Sequence, residues 1–131
     1  MSGHDVDALP PLVLAYIGDA VYGVYVRTML IADGGVNVHN LHMRSIEFVS
    51  AEAQAENLRR ILPGLTFEEQ EIVRRGRNSN PATVPKHAEI NEYRYATGFE
   101  SLIGYLFLKK RMKRLTEILN LSVNKIGQEG S

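Results

Sequence analysis

Two acidic residues sit where acids are least expected. Asp19 interrupts the apolar run Leu12-Val-Leu-Ala-Tyr-Ile-Gly-Asp-Ala-Val-Tyr22, and Glu100 interrupts Ala96-Thr-Gly-Phe-Glu-Ser-Leu-Ile-Gly-Tyr105. Aspartate is a poor helix-interior residue, because its short side chain competes for backbone partners. Glycines lie near both acids, Gly18 and Gly23 around Asp19, Gly98 and Gly104 around Glu100. A helix interior loses about 1 kcal/mol for each Gly relative to Ala. Close approach, of two helices or of a bulky ligand, is a physical use for that cost. Taken singly, each carboxylate reads as an ordinary charge on the solvated side of an amphipathic helix. Taken together, with a basic segment between them, they suggest a facing pair. Such a pair can hold Mg²⁺, which takes one or two protein carboxylates and leaves its other positions to water and phosphate. An ion held there lowers the pKa of water and neutralises charge growing on a phosphodiester, the minimal equipment for hydrolysing a nucleic-acid backbone.

The elements that must position these acids read as helices almost throughout. Pro10 and Pro11 fit a first helical turn, where no backbone N–H is needed. Val13, Ile17, Ala20, Val21, Val24 and Thr28 then follow the three-four spacing of a buried stripe, and Asp33-Gly34-Gly35 ends the helix. Leu41 to Leu62 reads as one helix, with Ile46, Val49, Ala53 and Leu58 inward and Pro63-Gly64 as its terminator. Thr66-Phe67-Glu68-Glu69 matches a capping box, in which the Thr oxygen and the Glu carboxylate each satisfy a free N–H; that helix should reach about Arg77. Asn78 to Pro85 has loop composition. A further helix is expected over Ala88 to Lys110, with Phe99, Leu102, Ile103, Leu106 and Phe107 as its core face. A last one takes in Leu115, Ile118 and Leu119, and Gly127 to Ser131 is expected as a frayed tail. The Val- and Tyr-rich stretch 21–26 is compatible with a strand, but the length of the surrounding pattern favours helix. The expectation is an all-α protein, one domain over residues 1–131 with its core at about 9–121. No internal repeat, low-complexity segment or linker divides it.

The chain has 131 residues, 44% of them apolar, enough to bury a sizeable core. No stretch approaches the roughly 18–20 apolar residues of a membrane span. The N-terminal Met1-Ser2-Gly3-His4-Asp5 lacks the basic and apolar regions of a secretory signal. Cysteine is absent, which excludes disulfide and thiolate chemistry and fits a cytoplasmic protein. Net charge is zero, yet its distribution is uneven. Residues 1–73 carry 4 Lys/Arg against 10 Asp/Glu, whereas residues 74–114 carry 10 Lys/Arg against 3 Asp/Glu. Because the Debye length is about 8 Å at physiological salt, a basic half can grip a polyanion on a neutral protein. Ordinary solvated faces explain the same counts equally well.

The residues around the acids carry a family resemblance. Tyr16-Ile-Gly-Asp-Ala-Val-Tyr22 resembles the signature of the ribonuclease III catalytic domain, whose core is Phe-Leu-Gly-Asp-Ala/Ser-Val/Ile-Leu. Phe99-Glu-Ser-Leu-Ile-Gly-Tyr-Leu-Phe-Leu108 resembles its second signature, Glu-Ala-Leu-Ile-Gly-Ala followed by an apolar run. Arg44-Ser-Ile-Glu-Phe-Val-Ser50, Arg74-Arg-Gly-Arg-Asn78 and Tyr93-Arg-Tyr-Ala-Thr97 look like the Mini-III branch, short bacterial enzymes without a double-stranded-RNA-binding domain. Order and spacing agree from about Leu9 to Asn120. The resemblance implies an all-α helical bundle forming a homodimer, with two active sites along a groove that accepts a duplex. It implies an endoribonuclease that uses Mg²⁺, with Mn²⁺ able to substitute, and cuts double-stranded RNA to 5′-phosphate ends with short 3′ overhangs. For the branch it implies trimming of large-subunit (23S) ribosomal RNA precursor, with a ribosomal protein as a candidate further partner. One departure stands out. The family places acids seven and four positions before the signature Asp and three before the signature Glu, where this chain has Leu12, Ala15 and Thr97. Asp19 and Glu100 are the two acidic positions that remain, so the number of ions is left open.

Double-stranded RNA is read mainly by shape, through phosphates and 2′-hydroxyls. Arg74, Arg75, Arg77, Asn78 and Lys86 bracket the Pro-containing segment and supply suitable donors. Lys109, Lys110, Arg111, Lys113 and Arg114 form the densest basic run, but they lie at a helix C-terminus that favours cations anyway, and read as structural first. Tyr16 and Tyr22 bracket Asp19 and read as core aromatics before ligand contacts. His39 and His42 have metal-compatible spacing without a third ligand and read as surface residues; His87 has no catalytic role. Two other readings compete: a ribonuclease III-like module that binds RNA or a ribosomal particle without cutting it, and a purely helical interaction protein. The second leaves both embedded acids unexplained, and the first has no chemical need for either.

Overall fold

The computed structural model describes residues 1–79 and 90–129. Among the described residues every helix-forming expectation but one is met and no strand occurs, so the Val- and Tyr-rich stretch 21–26 is helical. The exception is the long helix expected over 41–62. It is two helices, α3 (Val38–Val49) and α4 (Ala51–Ile61), divided at Ser50, whose backbone is extended at φ −63° and ψ 155°. Ser50 ends the first and caps the second, its Oγ accepting from the Ala53 N–H at 3.1 Å. The sequence pattern runs through this break because a serine between two apolar stripes does not disturb their spacing. Ile46, expected inward, is 47% exposed, α3 turning Ser45 and Phe48 inward instead.

The chain opens with a short α1 (Gly3–Asp7), held by a capping box between Ser2 and Asp5 and pegged by buried Val6. The helix α2 (Pro11–Ala32) starts on Pro11, as anticipated. It closes with a Schellman arrangement: Gly34 N–H donates to Ile31 and Gly35 N–H to Leu30, with Gly34 at φ +97°. Its inward face differs from the expected one. Leu14, Gly18, Tyr22, Val26 and Leu30 are buried, whereas Val13, Ala20, Val24 and Thr28 are exposed. The helix is apolar on two faces, and periodicity does not say which one this chain covers.

The capping box at Thr66 and Glu69 forms as anticipated and starts α5 (Phe67–Arg77), after a 3-10 turn at Leu62–Gly64. The central element is α6 (Ile90–Leu108), which packs against α1, α2, α4, α5 and α7 (Met112–Glu129). From Ala96 to Leu106 each residue is buried except Glu100, which is half-buried. Phe107, expected in this core face, is 37% exposed. The turn into α7 repeats the closure of α2, with Lys110 in place of glycine at φ 61°. The last helix runs through Glu129, beyond the point where a frayed tail was expected.

The uneven charge along the sequence is drawn together by this fold. Arg114 forks onto Glu69 with two contacts of 2.7 Å, Arg111 pairs with Glu68, and Lys109 meets Asp7 at 2.9 Å. The basic run that follows α6 is therefore largely engaged by acids of the acidic stretch 1–73, in line with a structural role.

Candidate active site

The glycines beside the two acids explain how the acids meet. A Cβ added to Gly18 would lie 1.8 Å from the Glu100 carbonyl oxygen, and one added to Gly104 would lie 1.9 Å from that of Leu14. The backbones of α2 and α6 touch at these two points, one helical turn apart on each helix, so the helices run antiparallel through the contact. Only glycine permits this approach, and Asp19 and Glu100 are rooted at it. Tyr22 and Phe99 brace the crossing from inside, edge to face at 5.3 Å and 89°. The Tyr22 hydroxyl donates to Phe48 O at 3.0 Å and accepts from Asn57 Nδ2 at 2.9 Å, and burial pushes its pKa up to about 12. Tyr22 is thus core, as read from the sequence. Tyr16 is not: it is 81% exposed, because α2 turns this side away from α6.

Asp19 is exposed and stands within hydrogen-bonding reach of half-buried Glu100. Desolvation first, and then the neighbouring Asp19, push the Glu100 carboxyl up to about 9. Both causes disfavour a second negative charge, and a divalent cation between the two acids opposes both. The donor set therefore fits such an ion. No group of three or more His, Asp or Glu side chains comes together among the described residues. Leu12 is partly exposed and Ala15 is buried, while Thr97 turns its hydroxyl back onto Tyr93 O at 3.0 Å. His39 and His42 are exposed, as expected of surface residues.

The expected RNA donors divide. The end of α5 meets α6 closely, Gly76 against Ser101 and Arg77 against Gly98. Arg77 stacks over the Tyr95 ring at 4.4 Å, with Arg59 also 4.9 Å from that ring. Arg74 is held by Glu71 at 2.9 Å. Arg75 and Asn78 are exposed, Asn78 ending α5. Lys86 and His87, with most of the segment whose composition suggested a loop, lie outside the described residues.

One residue at the site escaped the sequence reading. Gln54, on α4, is only 3% exposed and its side-chain amide stands beside the Glu100 carboxylate. Glutamine is usually a surface residue, so it passes for one in sequence. The available signal was its spacing of four and seven to Leu58 and Ile61, both buried on the inner face of α4.

The ribonuclease III domain family matches residues 12–111, a span that contains all five motifs. Mini-ribonuclease 3 of Thermoanaerobacter sp. (strain X514) is 52% identical over 126 residues, covering 96% of this chain and 89% of that relative. Mini-ribonuclease 3 of Symbiobacterium thermophilum is 47% identical over 116 residues, covering 88% of this chain and 89% of that one. A crystal structure of protein FN1578 from Fusobacterium nucleatum matches with a TM-score of 0.83 at 27% identity, over 92% of this chain and 97% of that one. With its two signature acids brought together at a glycine crossing, the chain belongs to the ribonuclease III family of endoribonucleases, in the Mini-ribonuclease 3 branch.

Proposed function

We propose that this endoribonuclease is metal-dependent, cuts double-stranded RNA, and holds Mg²⁺ between Asp19 and Glu100, with Mn²⁺ able to substitute. The observation that carries this reading is the juxtaposition of those carboxylates at the α2–α6 crossing. The bound ion supplies a Lewis acid that neutralises charge on the phosphodiester and acidifies water. The protein's own contribution is to fix the spacing of its two donors and to bind the duplex. Arg74, Arg75, Arg77, Asn78 and Lys86 are the donors to phosphate. The Glu71 contact of Arg74 and the Tyr95 stack of Arg77 hold two of these side chains in ordered positions at the end of α5.

One carboxylate pair cuts one strand, so a duplex cut needs two copies of the chain. Support for a homodimer comes from the outer face of α2. Ile17, Val21, Val24 and Tyr25 join Phe107 and Met112 in an open apolar groove of about 520 Å³. Self-association would cover it and suit the two-fold pseudo-symmetry of a duplex. The natural substrate is large-subunit (23S) ribosomal RNA precursor in the cytoplasm, with a ribosomal protein as candidate presenter of that RNA.

Cleavage of long double-stranded RNA by the purified protein tests this reading. Products should carry 5′-phosphates and require Mg²⁺ or Mn²⁺, and Asp19→Asn and Glu100→Gln should each abolish cutting while RNA binding and dimer persist. Full activity in both variants would overturn the site; RNA binding without cleavage in either ion would favour a binding module.

A further inference from the structure

Gln54 is a buried polar side chain with an incomplete set of partners. Its Nε2 donates to Val49 O, the last carbonyl of α3, at 3.0 Å. Its other N–H is then free for the Glu100 carboxylate beside it, and α4 packs directly on α6. Its Oε1 is fully buried and has no partner among the described residues. A side chain present only to fill space would be better replaced by leucine or methionine, which have similar bulk and leave no buried oxygen unpaired. A side chain present only to cap α3 would need the one bond to Val49. Neither role accounts for an amide held against Glu100, the α6 acid that faces Asp19.

Carboxylates that ligate metals are oriented by hydrogen-bond donors behind them, and loss of such a donor weakens binding without removing a ligand. We infer that Gln54 is a positioning residue for Glu100: its amide, anchored on Val49 O, donates to one carboxylate oxygen and leaves the other turned toward Asp19. This rests on the reading of Glu100 as a metal ligand. Position 54 thereby links the α3–α4 turn at Ser50 to the metal-binding acid on α6.

The test is calorimetric titration of Mn²⁺ into the full-length protein without RNA, alongside the Mg²⁺ dependence of double-stranded RNA cleavage. Gln54→Leu should weaken Mn²⁺ binding by about tenfold or more, raise the Mg²⁺ half-saturation, and lower kcat while the KM for RNA stays unchanged. Gln54→Met is the second variant should the first fail to fold. Wild-type Mn²⁺ affinity and kcat in either folded variant would overturn the role. Glu100→Gln in the same titration separates the two layers. If it binds Mn²⁺ as wild type does, the metal site itself is misassigned; if it loses binding while Gln54→Leu does not, only the positioning role fails. Independently of any Gln54 variant, the side-chain amide signals of Gln54 in ¹⁵N-labelled wild type should move on adding Mg²⁺, and signals that stay fixed would also overturn it.

Discussion

Glu69 and Glu100 are glutamates of the same helical body, treated in opposite ways. Glu69 is 3% exposed, yet its carboxylate accepts from the Thr66 N–H at 2.9 Å and from both arms of the Arg114 guanidinium at 2.7 Å. Arg114 holds its carboxyl below the usual range despite burial. Glu100 is less buried, but its neighbour is a second acid and its carboxyl is pushed far upward. Burial alone therefore does not mark a functional group. What separates the two is whether the fold supplies the counter-charge. At Glu69 it does, and the result is a clasp between α5 and α7. At Glu100 it does not, and the missing positive charge is left for a ligand to bring.

The largest effect expected from this contrast is on activity. With the proposed ion held between the two acids, neutralising either one would remove several kcal/mol of transition-state stabilisation, so Asp19→Asn or Glu100→Gln should lower kcat by about 10³-fold or more. Glu100→Gln should also leave the metal-free protein at least as stable as wild type at pH 8, read by thermal melting. Glu69→Ala should do the reverse. It strands Arg114 and should cost about 3 kcal/mol by denaturant unfolding, with cleavage per folded molecule unchanged.

The pH dependences should have opposite signs. Between the ordinary carboxylate pKa near 4.3 and about 9, folded Glu100 keeps a proton that the unfolded chain releases, so metal-free stability falls as pH rises through that window. Glu69 is shifted downward, so its contribution is full above the ordinary carboxylate range and is lost as pH falls below it. Melting curves of wild type, Glu100→Gln and Glu69→Ala across pH 3–9 would assign each limb; a rising limb that survives in Glu69→Ala, or a falling limb that survives in Glu100→Gln, would break the comparison. The smallest effect belongs to Arg114→Lys. It keeps the charge but loses the two-armed fit to Glu69, and should cost about 1 kcal/mol with no change in cleavage.

Much of this was legible in the sequence because local chemistry carries it. The capping box at Thr66, the proline start of α2 and its Gly34-Gly35 stop each state their structure within a few residues. The pair Asp19 and Glu100 was legible for a different reason: an acid inside an apolar run, with glycines beside it, announces that something must come close. What was illegible depended on which surfaces face each other. The stripe of Val13, Val24 and Thr28 has proper helical spacing but lies on the face of α2 turned away from α6. Gln54 was hidden because only the packing of α4 on α6 distinguishes it from a solvated glutamine. Ser50 was hidden because the break it makes preserves the apolar period on either side.

The glycine contact between α2 and α6 acts as a gauge block for the gap between the two acids. Where helices are held apart by side chains, any core substitution changes the spacing a little, and an active site riding on them drifts with it. Here the spacing is set by peptide groups meeting peptide groups, at Gly18 on the Glu100 carbonyl and at Gly104 on the Leu14 carbonyl. The hydrophobic neighbours can be exchanged over time without retuning the distance between the two acids. Engineering a wider gap, for a larger cation or a different cut, would have to begin by giving one of those glycines a methyl group.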